Sequence, residues 1–267
     1  MTLSFQKMAG AGNDFIVFDN RALKVSNLSK LAKRLCDRKN AVGADGIIAL
    51  EKSAKADVRM RILNPDGSEA EMCGNGVRCL AKFAHERKIT GSKLSVETIA
   101  GMITCEVRGD VVKAKMIDPK DLKLNLEIAL NGHRETVGFV NTGVPHVVKF
   151  VKDLQKTDVQ SLGKLIRNHP QFAPRGANAN FISIGALSVL NIRTYERGVE
   201  GETLACGTGS TAAAMVAAVL KNLRSPVRVK TQSGETLKVY FSKVGTRFHD
   251  VYLEGKIQNT FEGRAPL

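Results

Sequence analysis

Short apolar runs alternating with polar positions recur along most of the chain, and two longer segments interrupt that rhythm. The stretches DFIVFDN (14–20), DGIIALE (45–51) and DVRMRILN (57–64) have the length and β-branched content of strands. So do HVVKFVK (146–152), NANFISIG (178–185) and VLNIRTYE (189–196). LSKLAKRLCDR (28–38) and DVQSLGKLIRNHP (158–170) carry apolar residues at helical spacing and predict one amphipathic helix in each half. Hairpin-like runs over 93–117 and 226–255 close the two halves. The interrupting segments follow Cys73 and Cys206, and TAAAMVAAVL (211–220) has no polar face after its first residue. A helix apolar all round must be buried.

The order of elements is the same in both halves, which prompts a search for a repeat. Cys73 and Cys206 lie 133 residues apart, close to half of 267. At that shift V-x-T-x-x-G at Val96 meets V-x-T-x-x-G at Val229, Gly10 meets Gly143, and Glu69 meets Glu202. Several matches at one shift, in one order, point to an internal duplication. The expected fold class is α+β: two pseudo-symmetric domains, each a curved mixed sheet wrapped around a central helix, with both cysteine turns facing a cleft. The polar stretch 118–135 is read as holding the boundary. The domains are then 1–118, completed by a C-terminal strand at about 256–267, and 119–255.

Composition narrows the class. Apolar residues make up 43% and charged residues 25%, as in globular proteins rather than disordered ones. The start MTLSFQKMAGAG has no basic segment followed by an apolar run, and Ala212–Leu220 is far too short to span a bilayer. A cytoplasmic location is expected, with no membrane partner. Five scattered cysteines do not form a disulfide framework, and no clustered Cys/His spacing marks a metal site. The formal net charge of +14 raises nucleic acid as a partner. The basic residues are spread along the chain, however, and three Tyr with no Trp offer little base stacking. A solvated basic surface is the better reading.

The chemistry sits where each thiol meets a helix start. A helix N-terminus has unpaired N–H groups and partial positive charge, which lower a cysteine's pKa. The glycines of CGNG (73–76) and CGTG (206–209) let backbone approach a ligand, and the exposed amides suit a carboxylate. A single such cysteine is as well explained as a small buried hydrophobe; two equivalent ones favour acid–base chemistry. With thiols on either side of one carbon, one removes a proton and the other delivers one to the opposite face, inverting a stereocentre. Amide donors at the reacting carboxylate stabilise the developing charge.

GAGNDF (10–15), GADGII (43–48), NPDGSEAEMCGNGVRC (64–79), PHVV (145–148), GANANF (176–181) and ERGVEGETLACGTGS (196–210) resemble the diaminopimelate epimerase family over the whole chain. The resemblance implies interconversion of LL- and meso-diaminopimelate, in lysine and peptidoglycan precursor synthesis, without pyridoxal or any other cofactor. It implies Cys73 and Cys206 as the acid/base pair, and substrate contacts from Asn13, Asn64, Gly74, Asn75, Asn178, Glu196, Arg197, Gly207 and Thr208. His146 is implied as a possible auxiliary group, and a homodimer as the assembly. Arg197 suits a distal carboxylate and Glu196 an ammonium group. Two departures stand out: Val144 and Gly46 occupy places where some members carry Asn and Gln. Proline racemases and hydroxyproline epimerases are the nearest rivals, but Asn75 stands where they carry His. A phenazine-type isomerase of this fold lacks the two cysteines. A P-loop is excluded because no Lys precedes Ser210 or Thr211.

Overall fold

The structure is a computed structural model that describes residues 2–267. The chain divides into two compact units, 1–115 with 255–267, and 116–254.

The first unit runs β1 (Thr2–Gly10), β2 (Asn13–Asp19), α1 (Leu28–Leu35), β3 (Gly46–Glu51), β4 (Val58–Leu63), β5 (Glu69–Ala70), α2 (Gly74–Glu86), β6 (Lys93–Thr98), β7 (Gly101–Arg108) and β8 (Val111–Lys115). The second runs β9 (Lys120–Leu130), β10 (His133–Asn141), β11 (Pro145–Phe150), α3 (Val159–Arg167), β12 (Asn178–Ile184), β13 (Leu190–Glu196), β14 (Gly201–Thr203), α4 (Gly207–Leu220), β15 (Val227–Lys230), β16 (Thr236–Val244) and β17 (Arg247–Lys256). β18 (Gln258–Pro266) then returns to the first unit and pairs antiparallel with β1, Thr2 opposite Pro266.

Both units have one topology. In the first, the neighbours are β18, β1, β2, β3, β4, β6, β7 and β8, with parallel pairs only at β2–β3 and β4–β6. In the second they are β9, β10, β11, β12, β13, β15, β16 and β17, parallel only at β11–β12 and β13–β15. The stretch 118–135 therefore contributes a hairpin, β9–β10, whose alternating exposed and half-buried residues give β9 the period of a strand.

Each sheet curls around its helix. α2 packs against β1, β2, β3, β4, β6, β7 and β8; α4 packs against β9 to β13, β15 and β16. Small residues permit this approach: a Cβ at Gly138 on β10 would stand 2.7 Å from Val216 of α4. α1 and α3 cover the outer faces, so the strands beneath them are buried on both sides. Along β2 and β3, Phe15, Val17, Ile48 and Leu50 enter the α2 core, while Ile16, Phe18, Ile47 and Ala49 enter the α1 core. This is why FIVF and GIIAL are continuous apolar runs rather than alternating ones.

α4 is apolar all round, as its sequence requires. α2 is equally central but carries Arg78 and Lys82, both buried. Lys82 is neutralised by Glu86 at 3.2 Å and by Asp110. Arg78 turns its guanidinium back to the helix start, donating to the Gly74 carbonyl at 3.0 Å and to Asn75. Among the described residues no helix is long and apolar enough to cross a membrane.

Candidate active site

The two cysteine turns are near copies. Cys73 is the N-cap of α2 with φ −138° and ψ 121°, and Cys206 is the N-cap of α4 with φ −128° and ψ 115°. In each turn the third glycine-motif amide donates to the sulfur: Gly76 N–H to Cys73 Sγ at 3.4 Å, Gly209 N–H to Cys206 Sγ at 3.4 Å. The cysteine carbonyls accept the first helical bonds, from Val77 and Ser210, both at 2.8 Å. Thr208 Oγ1 lies 3.4 Å from Cys206 Sγ. A sulfur placed here sees the positive end of the helix. The other cysteines are built differently: burial pushes the Cys36 thiol up to about 11 and the Cys105 thiol up to about 12. Such thiols stay protonated and inert.

In the first unit the Cys73 turn is tied to the start of β2. Asn75 Nδ2 donates to Asn13 Oδ1 at 2.7 Å, and Asn13 Nδ2 donates to Asp45 Oδ2 at 3.0 Å. Asp45 shares Arg38 with Asp14, at 2.7 and 2.6 Å, and Lys7 meets Asp14 at 2.7 Å. With Arg78 donating to Asn75 Oδ1, each amide has its orientation set by neighbours that only donate or only accept. Asn64 lies in the turn after β4 and donates to Ser68 Oγ at 2.9 Å. Gly46 faces the Leu63 carbonyl, where a Cβ would come within 2.7 Å. Any side chain at this position would therefore require β4 to shift.

In the second unit Asn178 links three strands' ends: Nδ2 donates to the Pro145 carbonyl at 3.0 Å and Oδ1 accepts from the Arg197 N–H at 2.9 Å. Glu196 accepts from Thr203 Oγ1 at 2.9 Å, and burial raises its pKa despite that bond. Arg197 reaches the Arg175 carbonyl at 3.4 Å. His146 is fully buried, and desolvation, with Arg197 adding to it, pushes its imidazole down to about 3. Thr142 Oγ1 donates to the Thr208 carbonyl at 3.1 Å, which holds the residue between Gly207 and Gly209.

Each unit thus gathers its own share of the expected residues: Asn13, Cys73, Gly74 and Asn75 in one, His146, Asn178, Arg197, Cys206, Gly207 and Thr208 in the other. Residues beyond the expected set also belong to these networks. Asp45 orients Asn13, Asn180 stands beside His146, and Thr194 donates to Asn180. The signal for Asn180 was its place two residues after Asn178, on the same face of one strand. Glu69 and Glu202, recognised only as a matched pair, are each held by two parallel bonds from an arginine on the neighbouring strand. These are Arg61 at 2.8 and 2.7 Å and Arg193 at 2.7 and 2.7 Å.

Comparison with known proteins gives the family. The family model described as diaminopimelate epimerase matches residues 5–120 and 138–258. The chain is 42% identical to the diaminopimelate epimerase of Aquifex aeolicus (strain VF5), over 98% of this chain and 97% of that protein. It is 43% identical to that of Chlorobaculum tepidum, over 97% of this chain and all of the relative. Among solved structures, a phenazine biosynthesis protein of the PhzF family from Bacillus anthracis superposes with a TM-score of 0.79 at 18% identity, covering both chains fully. A hydroxyproline epimerase from Agrobacterium vitis gives 0.70 at 16%, covering 99% of this chain and 92% of that one. The distant structures share the fold alone, whereas the full-length identity above 40% and the two matched segments carry more: this chain belongs to the diaminopimelate epimerase family.

Proposed function

We propose that the protein interconverts LL- and meso-2,6-diaminopimelate, with Cys73 and Cys206 as the acid/base pair. The observation that carries this reading is the matched pair of helix-capping sulfurs, one per unit, in a chain of this family. One thiolate takes the α-proton, leaving its electron pair on the carbon and carboxylate. The other thiol gives its proton to the opposite face and becomes the thiolate, so atoms and charge balance and the next turnover runs in reverse. The amides of Gly74–Asn75 and Gly207–Thr208 receive the reacting carboxylate, whose charge grows in the transition state. Asn13, Asn64 and Asn178 each keep a further donor or acceptor for the substrate beyond the bonds they make in the protein. Arg197 takes the distal carboxylate with its planar fork and Glu196 an ammonium group. A cytoplasmic homodimer belongs to the same reading, and sedimentation of the purified chain tests the assembly.

The test uses the reduced protein, LL-diaminopimelate and D₂O. Deuterium at the α-carbon and formation of the meso isomer are expected. Cys73→Ala and Cys206→Ala should each lose at least about 100-fold in rate. Full activity in either variant, or turnover of trans-4-hydroxyproline instead, sinks the assignment. Glu196 adds a pH signature. Its raised pKa means it gains a proton as pH falls from neutral toward the ordinary carboxylate range. KM should rise over that interval, and in Glu196→Gln it should be high throughout and flat.

A further inference from the structure

The duplication supplies an internal control for the surroundings of each thiol. Gly76, which caps Cys73, is backed by Ile62 and Ile48, with a Cβ there 2.9 and 3.2 Å from their δ-carbons. Ile48 and Ile62 are direct partners across β3–β4. The matching partners across β12–β13 are Asn180 and Thr194, and a Cβ on Gly209 would overlap Asn180 Oδ1. On the preceding parallel strand, the residue opposite the first position of β3 is Phe15, facing Gly46, and that opposite the first position of β12 is His146, facing Asn178. Hydrocarbon thus fills the space behind the Cys73 turn. At the same place beneath Gly209 stands Asn180, buried and hydrogen-bonded to the equally buried Thr194 and His146. Since Phe15, Ile48 and Ile62 suffice for the fold, and buried polar groups cost stability unless fully bonded, the triad has a task beyond packing.

Its geometry assigns every proton. The Val147 carbonyl, which can only accept, lies 2.9 Å from Asn180 Nδ2 and settles which end of the amide is nitrogen. Thr194 Oγ1 donates to Asn180 Oδ1 at 3.0 Å. The second Nδ2 hydrogen faces His146 Nδ1 at 3.1 Å, so Nδ1 accepts and the imidazole proton resides on Nε2. That Nε2 is buried without a partner in the protein. Arg197 is the charged group acting on the ring.

We propose that Asn180 is a positioning residue for the Cys206 turn: anchored by Thr194 and the Val147 carbonyl, it fixes His146 as the neutral Nε2–H tautomer, a hydrogen-bond donor rather than a base, and braces Gly209 beneath the sulfur. The two thiols of the duplicated scaffold are in this way made inequivalent. The proposal rests on the reading of Cys206 as an acid/base group.

The test begins on the resting protein. ¹⁵N NMR of the histidine ring should show His146 with Nε2 protonated and Nδ1 bare; an Nδ1 proton overturns the proposal. In Asn180→Asp a carboxylate that only accepts should draw the proton to Nδ1. We expect kcat/KM to fall at least about tenfold, with the pH dependence of Cys206 alkylation altered and that of Cys73 unchanged. Thr194→Val keeps the Val147 anchor and should cost only about two- to threefold, the scale of one weak neutral bond. Tautomer reversal with kcat/KM within twofold of the wild type, or equal changes at both cysteines, also overturns it. Should Asn180→Asp not fold, the wild-type tautomer and Thr194→Val still decide. Absent turnover of diaminopimelate, with the expected nitrogen shifts and an alkylation change confined to Cys206, would count against the substrate assigned above and not against this proposal.

Discussion

Cys73 and Cys206 occupy the position that α1 and α3 give to Asn27 and Asp158, whose oxygens accept amide bonds at 2.9 and 3.0 Å. Sulfur caps at 3.4 Å are longer and weaker, so helix stability alone does not account for cysteine at these two positions. The glycines beside them are not interchangeable. At Gly76 an added methyl meets the ends of two isoleucine side chains, which can move; at Gly209 it meets the braced Asn180 amide and the Cys206 sulfur at 3.3 Å. We expect Gly209→Ala to lose about 1–3 kcal/mol and Gly76→Ala clearly less, by denaturant midpoint. Equal losses would show that the amide is not braced. Asp14 offers a pH test. Burial works to raise its pKa, but the Arg38 and Lys7 bonds outweigh that and hold it at about 2. A depressed folded value means stability that is present above the ordinary aspartate pKa of ~3.9 and lost as pH falls through about 2. Asp14→Asn should flatten that part of the acid-denaturation profile. The motif glycines and cysteines were legible in the sequence because their spacing repeats. Asn180 and Thr194 were not, because their meaning lies in a contact between strands.

At the scale of elements, α4 could be read directly: a segment with no polar face has one stable place, inside a sheet. α2 could be read only through its match to α4 in the repeat, since taken alone Arg78 and Lys82 look like a solvent face. Both are buried because each finds partners: Arg78 turns back one turn to Gly74 and Asn75 at its own helix start, and Lys82 pairs with Glu86 and with Asp110, 28 residues on. The stretch 118–135 was read only as holding the boundary because its charges hide a period of two, and cross-strand pairing decides such a case. The arginine clamps are the other element-level device. Arg193 holds Glu202 and also donates to the carbonyls of Leu154 and Thr157, both at 2.9 Å, whereas Arg61 serves Glu69 with Glu51 3.9 Å away. Arg193→Ala strands more acceptors, most of them half-buried. It should cost about 2–3 kcal/mol against about 1 kcal/mol for Arg61→Ala, measured by urea unfolding. The reverse order would mean that these pairs are surface ornaments.

For the molecule as a whole, the first unit is discontinuous: its sheet is completed by β18, which arrives after the second unit has been made. Gly263 lies directly under Phe5, leaving no room for a Cβ. Removing residues 258–267 should abolish amide-exchange protection in the first unit while the second keeps most of its own. Uniform loss in both would contradict the independence of the two cores. Chain order alone determined that there are two copies of one plan, that each holds a buried helix, and that each helix begins at a thiol. Those properties follow from periodicity and spacing, which are local and survive in a one-dimensional text. The tertiary structure alone decided that one cysteine turn is backed by isoleucines and the other by an asparagine hydrogen-bonded to a buried histidine. The identity of a buried neighbour depends on which strands pair and in what register, and that is settled only when the sheet closes around its helix.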